Sequence, residues 1–373
     1  MNTTNTTTVN MTMLGADMIP INTLFPVLFQ MSNLQVIVFY KYIIPILVSI
    51  VVVCNTCSAG IFLKNKLRNS THMLLLSICV CDMLSSLMMG IISVYVFYYE
   101  DYYDYLPYRI CEVYTFMYNF LPVFFHYTSN YIIVGLAGHR YICVVYPFVA
   151  KRICSKKNTM IFILFSFLCS GIYLAFQIYS HSYYIIETRS FYNANVTVSA
   201  CSIVISNFTL WYIHPILFTF IPFVILICLE PAILRTLQRS RSLKTASSSS
   251  TRNSSRSLSV ITLWVVLAFM VCEFPLVVYM CATFSCLEFR MCSLLFTPSW
   301  YVYTHYTLFI TSCSPIFNFI IYITFNRYFR KTFLDIFIGC KSGSTKRLTL
   351  ESFLRETHVE LLRSRSSRST STT

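Results

Sequence analysis

LSVITLWVVLAFMVCEFPLVVYMCATF, residues 258–284, is the stretch whose reading decides the fold. It is apolar almost throughout, with one charged residue, Glu273, and one proline, Pro275, inside it. Crossing a hydrocarbon core of roughly 30 Å takes about 20 such residues. In lipid a segment of this kind satisfies its backbone hydrogen bonds as a helix. Similar stretches run near 41–63, 72–98, 112–137, 159–181, 209–234 and 299–325. The short alternating segments of a β-barrel do not occur. The sequence therefore predicts an all-α chain: a seven-transmembrane helix bundle in which residues 39–325 cross a membrane.

Composition agrees. Of the 373 residues 56% are hydrophobic and 11% charged, against about 25% charged in a soluble domain. The net charge of +14 would suit a nucleic-acid partner if it were spread over one face, but it gathers between spans. Lys64, Lys66 and Arg68 follow the first span, and Lys151, Arg152, Lys156 and Lys157 follow the third. Arg235, Arg239, Arg241, Lys244, Arg252 and Arg256 lie between the fifth and sixth, and Arg327, Arg330 and Lys331 after the seventh. This asymmetry is the positive-inside signal. It places these loops in the cytoplasm, against anionic lipid, and the N-terminus outside. Nucleic acid is excluded as a partner.

Residues 1–38 read as an extracellular glycosylated arm with Asn-X-Ser/Thr sequons at Asn2, Asn5 and Asn10, and Asn195 carries another before the fifth span. No basic region followed by a short apolar run opens the chain, so no cleavable signal peptide is expected. Residues 236–257, with the Ser247–Ser250 run, read as a flexible polar linker whose Ser and Thr are either candidate kinase sites or serve solubility alone. Phe325, Phe329, Phe333, Ile336 and Phe337 recur at three-to-four-residue spacing, so residues 326–340 are expected to form a short amphipathic helix on the membrane surface. Cys340 behind it could accept a palmitoyl chain, and residues 341–373 form a basic Ser/Thr-rich tail. The sixteen cysteines are too dispersed for a zinc cluster. Only the extracellular ones meet an oxidising compartment. Cys111 and Cys201 are the best-placed pair, and Cys286 with Cys292 could close a second staple. Spacing proves neither connectivity.

An ionisable group inside a membrane helix is costly and marks function by default. Asp82 lies inside the second span, Glu273 beside the kink-forming Pro275 of the sixth, and Arg140-Tyr141 ends the third. Pro222 sits in the fifth, with Glu230 eight residues on, and Asn318-Phe319-Ile320-Ile321-Tyr322 closes the seventh. In this order and at these depths they resemble the core of the rhodopsin-like (class A) G-protein-coupled receptors, over about residues 40–340. Gly138-His139-Arg140-Tyr141 with Tyr146-Pro147 resembles that family's Asp-Arg-Tyr motif and following loop, with His139 in place of the acid. Phe269, Cys272 and Pro275 match Phe-X-X-Cys-Trp-X-Pro, with Glu273 in the tryptophan position. Asn318-Phe319 stands where Asn-Pro is usual. These last two features look like the invertebrate receptors for myosuppressin and FMRFamide-type neuropeptides. Among the departures, the fourth span has no tryptophan, and Cys111 precedes Arg140 by about one helical turn more than usual.

The resemblance implies a cell-surface receptor in the plasma membrane, not an enzyme. Such a receptor passes binding of an extracellular ligand to a heterotrimeric G protein, and receptor kinases and arrestin are its further partners. It implies no cofactor beyond an allosteric sodium ion held by Asp82, Ser129 and Asn318, with Asn55 nearby. Arg140, Tyr141, Glu230 and Tyr322 would serve coupling and activation, Arg140 and Glu230 as a substitute ion pair. Phe269, Glu273 and Pro275 would form the hinge and switch. His126, counted back from Arg140, comes level with Glu273, so the two could share a proton or an ion pair. With the rim acids Glu100, Asp101 and Asp104 they would line a pocket suited to a basic or amidated peptide. A receptor for small odorants is the nearest alternative. Outside receptors, a transporter should show repeated halves, and a retinal pump needs a lysine that 299–325 lacks.

Overall fold

Apolar stretches with few ionisable groups become helices where water is absent, and the computed structural model contains them. It describes residues 23–24, 38–64, 70–99, 108–189, 195–205, 216–242, 250–288 and 298–337. Among these, seven helices are long and apolar enough to cross a membrane: Phe39–Lys64, Ser70–Val94, Tyr108–Val145, Lys156–Ser180, Ile216–Thr236, Val260–Ala282 and Tyr306–Phe325. Large apolar side chains such as Ile46, Val53, Leu164 and Ile172 stay exposed on these helices, as a lipid-facing surface requires. Inside, the helices close on small residues. A Cβ at Gly90 would lie 2.7 Å from Val48 Cγ1, and one at Gly135 would collide with the Phe162 ring. Near one end of the bundle Tyr40, Ile44, Val48, Ile92, Val96, Cys111 and Tyr114 pack together across the first three spans.

Three spans carry a wide π turn just before a proline. Phe39–Ile43 precedes Pro45, Phe116–Phe120 precedes Pro122, and Ile216–Phe220 precedes Pro222. A proline within a helix has no N–H and collides with the carbonyl four residues back. Widening the preceding turn relieves that collision, and it leaves a carbonyl free for a side chain. Phe218, four residues before Pro222, accepts the Asn130 side-chain amide at 3.5 Å, and Leu217 accepts the Tyr131 hydroxyl at 3.0 Å. The third helix runs unbroken from Cys111 to Arg140 through its π turn.

Two loop features depart from the sequence reading. Between the fourth and fifth spans the chain forms an antiparallel hairpin, β2 (His181–Arg189) with β3 (Thr197–Ile205), and β1 (Thr23–Leu24) adds to the outer edge of β3. Tyr183, Tyr184, Ile185 and Ile186 favour the pleated chain. The sequence reading had no strand here because one apolar run gives no pairing partner. The polar 236–257 linker is also narrower than expected. The fifth helix continues to Ser242 and the next begins at Ser250, so its flanks are helical. A helix once started adds residues at little cost, whatever the solvent around them.

Tyr322–Thr373 forms a second compact unit. Its described part contains the expected amphipathic helix, bounded at Arg327–Phe337. The Asn326 side chain accepts the Phe329 backbone N–H at 3.1 Å, a side-chain cap on an otherwise unpaired donor. Phe329 is buried and packs on the Tyr322 ring, centroids 5.4 Å apart.

Candidate functional site

The second, third, sixth and seventh spans surround a cleft that encloses, mouth included, about 430 Å³. Asp82, His126, Ser129, Asn130, Phe269 and Glu273 line it, with Thr311 and Ser312 opposite. Helical spacing explains the sharing: Phe269 and Glu273 are four residues apart, as are His126 and Asn130, so each pair faces one way. Glu273 is 1% exposed, a depth at which a carboxylate needs a partner. His126 Nε2 lies 3.4 Å from Glu273 Oε1 and 3.4 Å from Asn130 Nδ2. When protonated, the imidazole makes an ion pair with the carboxylate. Pro275 follows two residues on, and its carbonyl accepts the Tyr303 hydroxyl at 3.1 Å. Asn130, buried and spaced four from His126, was overlooked in the sequence although that spacing was visible.

Deeper in the same cleft the Ser129 hydroxyl donates to Asp82 Oδ1 at 2.6 Å. Asn55 and Asn318 are both buried, but Asn55 Nδ2 and Asn318 Oδ1 have no hydrogen-bond partner. Asp82 and Ser129 are thus brought together as expected from the resemblance, whereas Asn318 does not bond to them. Beside this carboxylate and hydroxyl, Ser85, Ser86 and Ser314 also line the cleft and offer further oxygen donors. A hard monovalent cation such as sodium fits such ligands.

At the far end of the third span Arg140 is 4% exposed and its Nε donates to the Thr262 hydroxyl at 3.2 Å. The ion pair expected with Glu230 does not form. Glu230 Oε1 is buried without a hydrogen-bond partner, as is one Arg140 terminal nitrogen. Counting residues matched the two groups in depth, but each residue also turns the helix by about 100°. Depth does not give facing. Thr262 of the sixth span reaches the guanidinium instead, and nothing in the sequence marked it. Tyr141 packs edge-on against Tyr146, centroids 6.3 Å apart. Tyr322 is buried and belongs to the second unit.

Two of the cysteines that the sequence spreads along the chain are close in space. His139, Cys143 and Cys154 lie together, one ligand atom of each within 4.8 Å of the others. The 147–153 helix folds Cys154 back onto the third span, a contact that linear dispersion conceals. Cys111 is disulfide-bonded. Cys201 lies on β3, paired with Ile185 across the hairpin, and Asn195 is exposed in the turn before it. Glu100, Asp101, Asp104, Asn2, Asn5, Asn10, Cys292 and Cys340 lie outside the described residues.

Residues 50–322 match the family described as 7 transmembrane receptor (rhodopsin family). Over 120 residues the chain is 25% identical to the sex peptide receptor of Drosophila melanogaster. That match covers 32% of this chain and 28% of that receptor's length.

Proposed function

This chain belongs to the rhodopsin family of seven-transmembrane receptors, and from that premise we propose that it passes the binding of an extracellular basic or amidated peptide to a heterotrimeric G protein. It is a multi-pass membrane protein of a receptor family, not an enzyme. In our reading it sits in the plasma membrane with its N-terminus outside, and its basic loops face the G protein, receptor kinases and arrestin.

The observation that carries the ligand class is Glu273, a carboxylate buried in the cleft beside a single titratable ring at 3.4 Å. A guanidinium or amine entering the cleft would replace His126 as its partner and gain charge-assisted hydrogen bonds. The likeness to a receptor named for a peptide points the same way. The same helix carries Glu273 and Thr262, eleven residues and about 16 Å apart along its axis. A ligand that pulls on Glu273 near the Pro275 kink therefore also moves the hydroxyl that holds Arg140. That is the route by which binding would free the arginine for the G protein. A sodium ion on Asp82 and Ser129 would favour the resting arrangement. A Cys111–Cys201 disulfide would fix β3 over the ligand entrance, since the helix bearing Cys111 packs against both strands of the hairpin.

A second reading, a receptor for small odorants, is favoured by the small size of the cleft, whose 430 Å³ includes open solvent at its mouth. Nucleotide exchange on co-expressed G proteins, screened with amidated peptides and with volatiles, separates the two. Activation by basic peptides supports the proposal. Activation by neutral volatiles alone refutes the peptide assignment.

A further inference from the structure

His139 stands in the position where the resembled motif has an acid, immediately before Arg140. Cys143 follows it by one helical turn on the same face, and Cys143 Sγ lies 3.7 Å from His139 Nδ1. Cys154, at the end of the Pro147–Ile153 helix, completes the group. We propose that His139, Cys143 and Cys154 form a zinc site that ties the inner end of the third span to the short 147–153 helix.

Zinc takes thiolate sulfur at about 2.3 Å and imidazole nitrogen at about 2.0–2.1 Å in a tetrahedron. Those bonds set ligand-to-ligand separations of roughly 3.5–3.8 Å. The 3.7 Å between Cys143 and His139 is already at that spacing, and the widest pair, within 4.8 Å, needs to close by about 1 Å. The backbone around Cys154 is held for the purpose. Its N–H donates to the Ala150 carbonyl at 2.8 Å, and its own carbonyl accepts the Ser70 hydroxyl at 2.8 Å. Only the thiol must turn, away from the His139 carbonyl that it now approaches at 3.8 Å. The other imidazole nitrogen, Nε2, is buried with no hydrogen-bond partner, so no hydrogen bond there opposes a turn of the ring.

Charge and compartment favour zinc. On the orientation proposed above the group faces the reducing cytoplasm, where thiols persist unpaired. Metal binding displaces a thiol proton from each cysteine to solvent. Two thiolates cancel the charge of Zn²⁺, so the Arg140 guanidinium is not repelled by the site as a whole. Water fills the fourth position.

The test uses the full-length receptor in lipid nanodiscs, stripped with a chelator and then titrated with zinc or with cobalt. We expect one tightly bound zinc per chain by elemental mass spectrometry, and a tetrahedral thiolate–cobalt absorption spectrum. Cys143→Ser and Cys154→Ser should each weaken binding by at least about tenfold, by loss of one ligand of three. Cys228→Ser, at an exposed cysteine of the fifth span, should bind as the native chain does. Bound zinc should also shield Cys143 and Cys154 of the native chain from maleimide, a readout that requires no variant to fold. Full maleimide labelling in the presence of zinc, zinc content unchanged in both serine variants, or recovery of a Cys143–Cys154 disulfide would overturn the site.

Discussion

The two ends of the sixth span hold buried charge in opposite ways. At the cleft, the Glu273 carboxylate faces His126, a ring that can take up a proton and match its charge. At the other end, among the described residues, the Arg140 guanidinium donates to the neutral hydroxyl of Thr262, while Glu230 is half-buried with its Oε1 unpaired. The cleft has a charge partner that an incoming cation can displace. The inner end has, among the described residues, one hydrogen bond that a helix movement can break, worth about 1.5–3 kcal/mol for a charged donor. One end is built to exchange partners and the other to let go.

Arg140→Ala is the most severe way to break the comparison. It removes the group that the inner end exists to hold, so ligand-dependent nucleotide exchange should vanish while surface expression, followed by antibody to an N-terminal tag, persists. Retained signalling would mean that the inner end plays no part in coupling.

Glu273→Gln tests the outer end. The amide keeps the size and removes the charge, so a basic peptide should lose at least about tenfold in potency, or about 1.4 kcal/mol. A neutral analogue should lose little. Equal losses for both ligands would make the residue structural and favour the small-odorant reading.

Thr262→Val sharpens the inner end, because it removes the hydroxyl while keeping the shape. The resting state then loses the Arg140 hydrogen bond, and basal nucleotide exchange should rise by about tenfold, the lower part of the range for a hydrogen bond to a charge. Unchanged basal exchange would show that Thr262 does not restrain Arg140.

The smallest effect is expected at Glu230. A half-buried carboxylate without a partner loses nothing when made neutral, so Glu230→Gln should shift basal and stimulated exchange by less than about twofold, roughly 0.4 kcal/mol. A large rise in basal exchange would restore the ion pair with Arg140 that the sequence led us to expect.

The amino-acid sequence by itself determined the seven spans and the amphipathic helix. Length, apolar composition and the spacing of Phe325, Phe329 and Phe333 are properties of one segment at a time, and the membrane leaves each segment a single solution. It also marked Asp82, His126, Glu273 and Arg140, because a charge in an apolar run is visible without knowing its neighbours. Only the tertiary structure decided what those charges touch. His126 and Glu273 meet, whereas Arg140 passes over Glu230 for Thr262, since facing depends on helix rotation and on π turns that residue counting does not register. The hairpin of β2 and β3 and the gathering of His139, Cys143 and Cys154 belong to the same class. Each joins residues whose pairing depends on how the chain returns on itself, which no local pattern encodes.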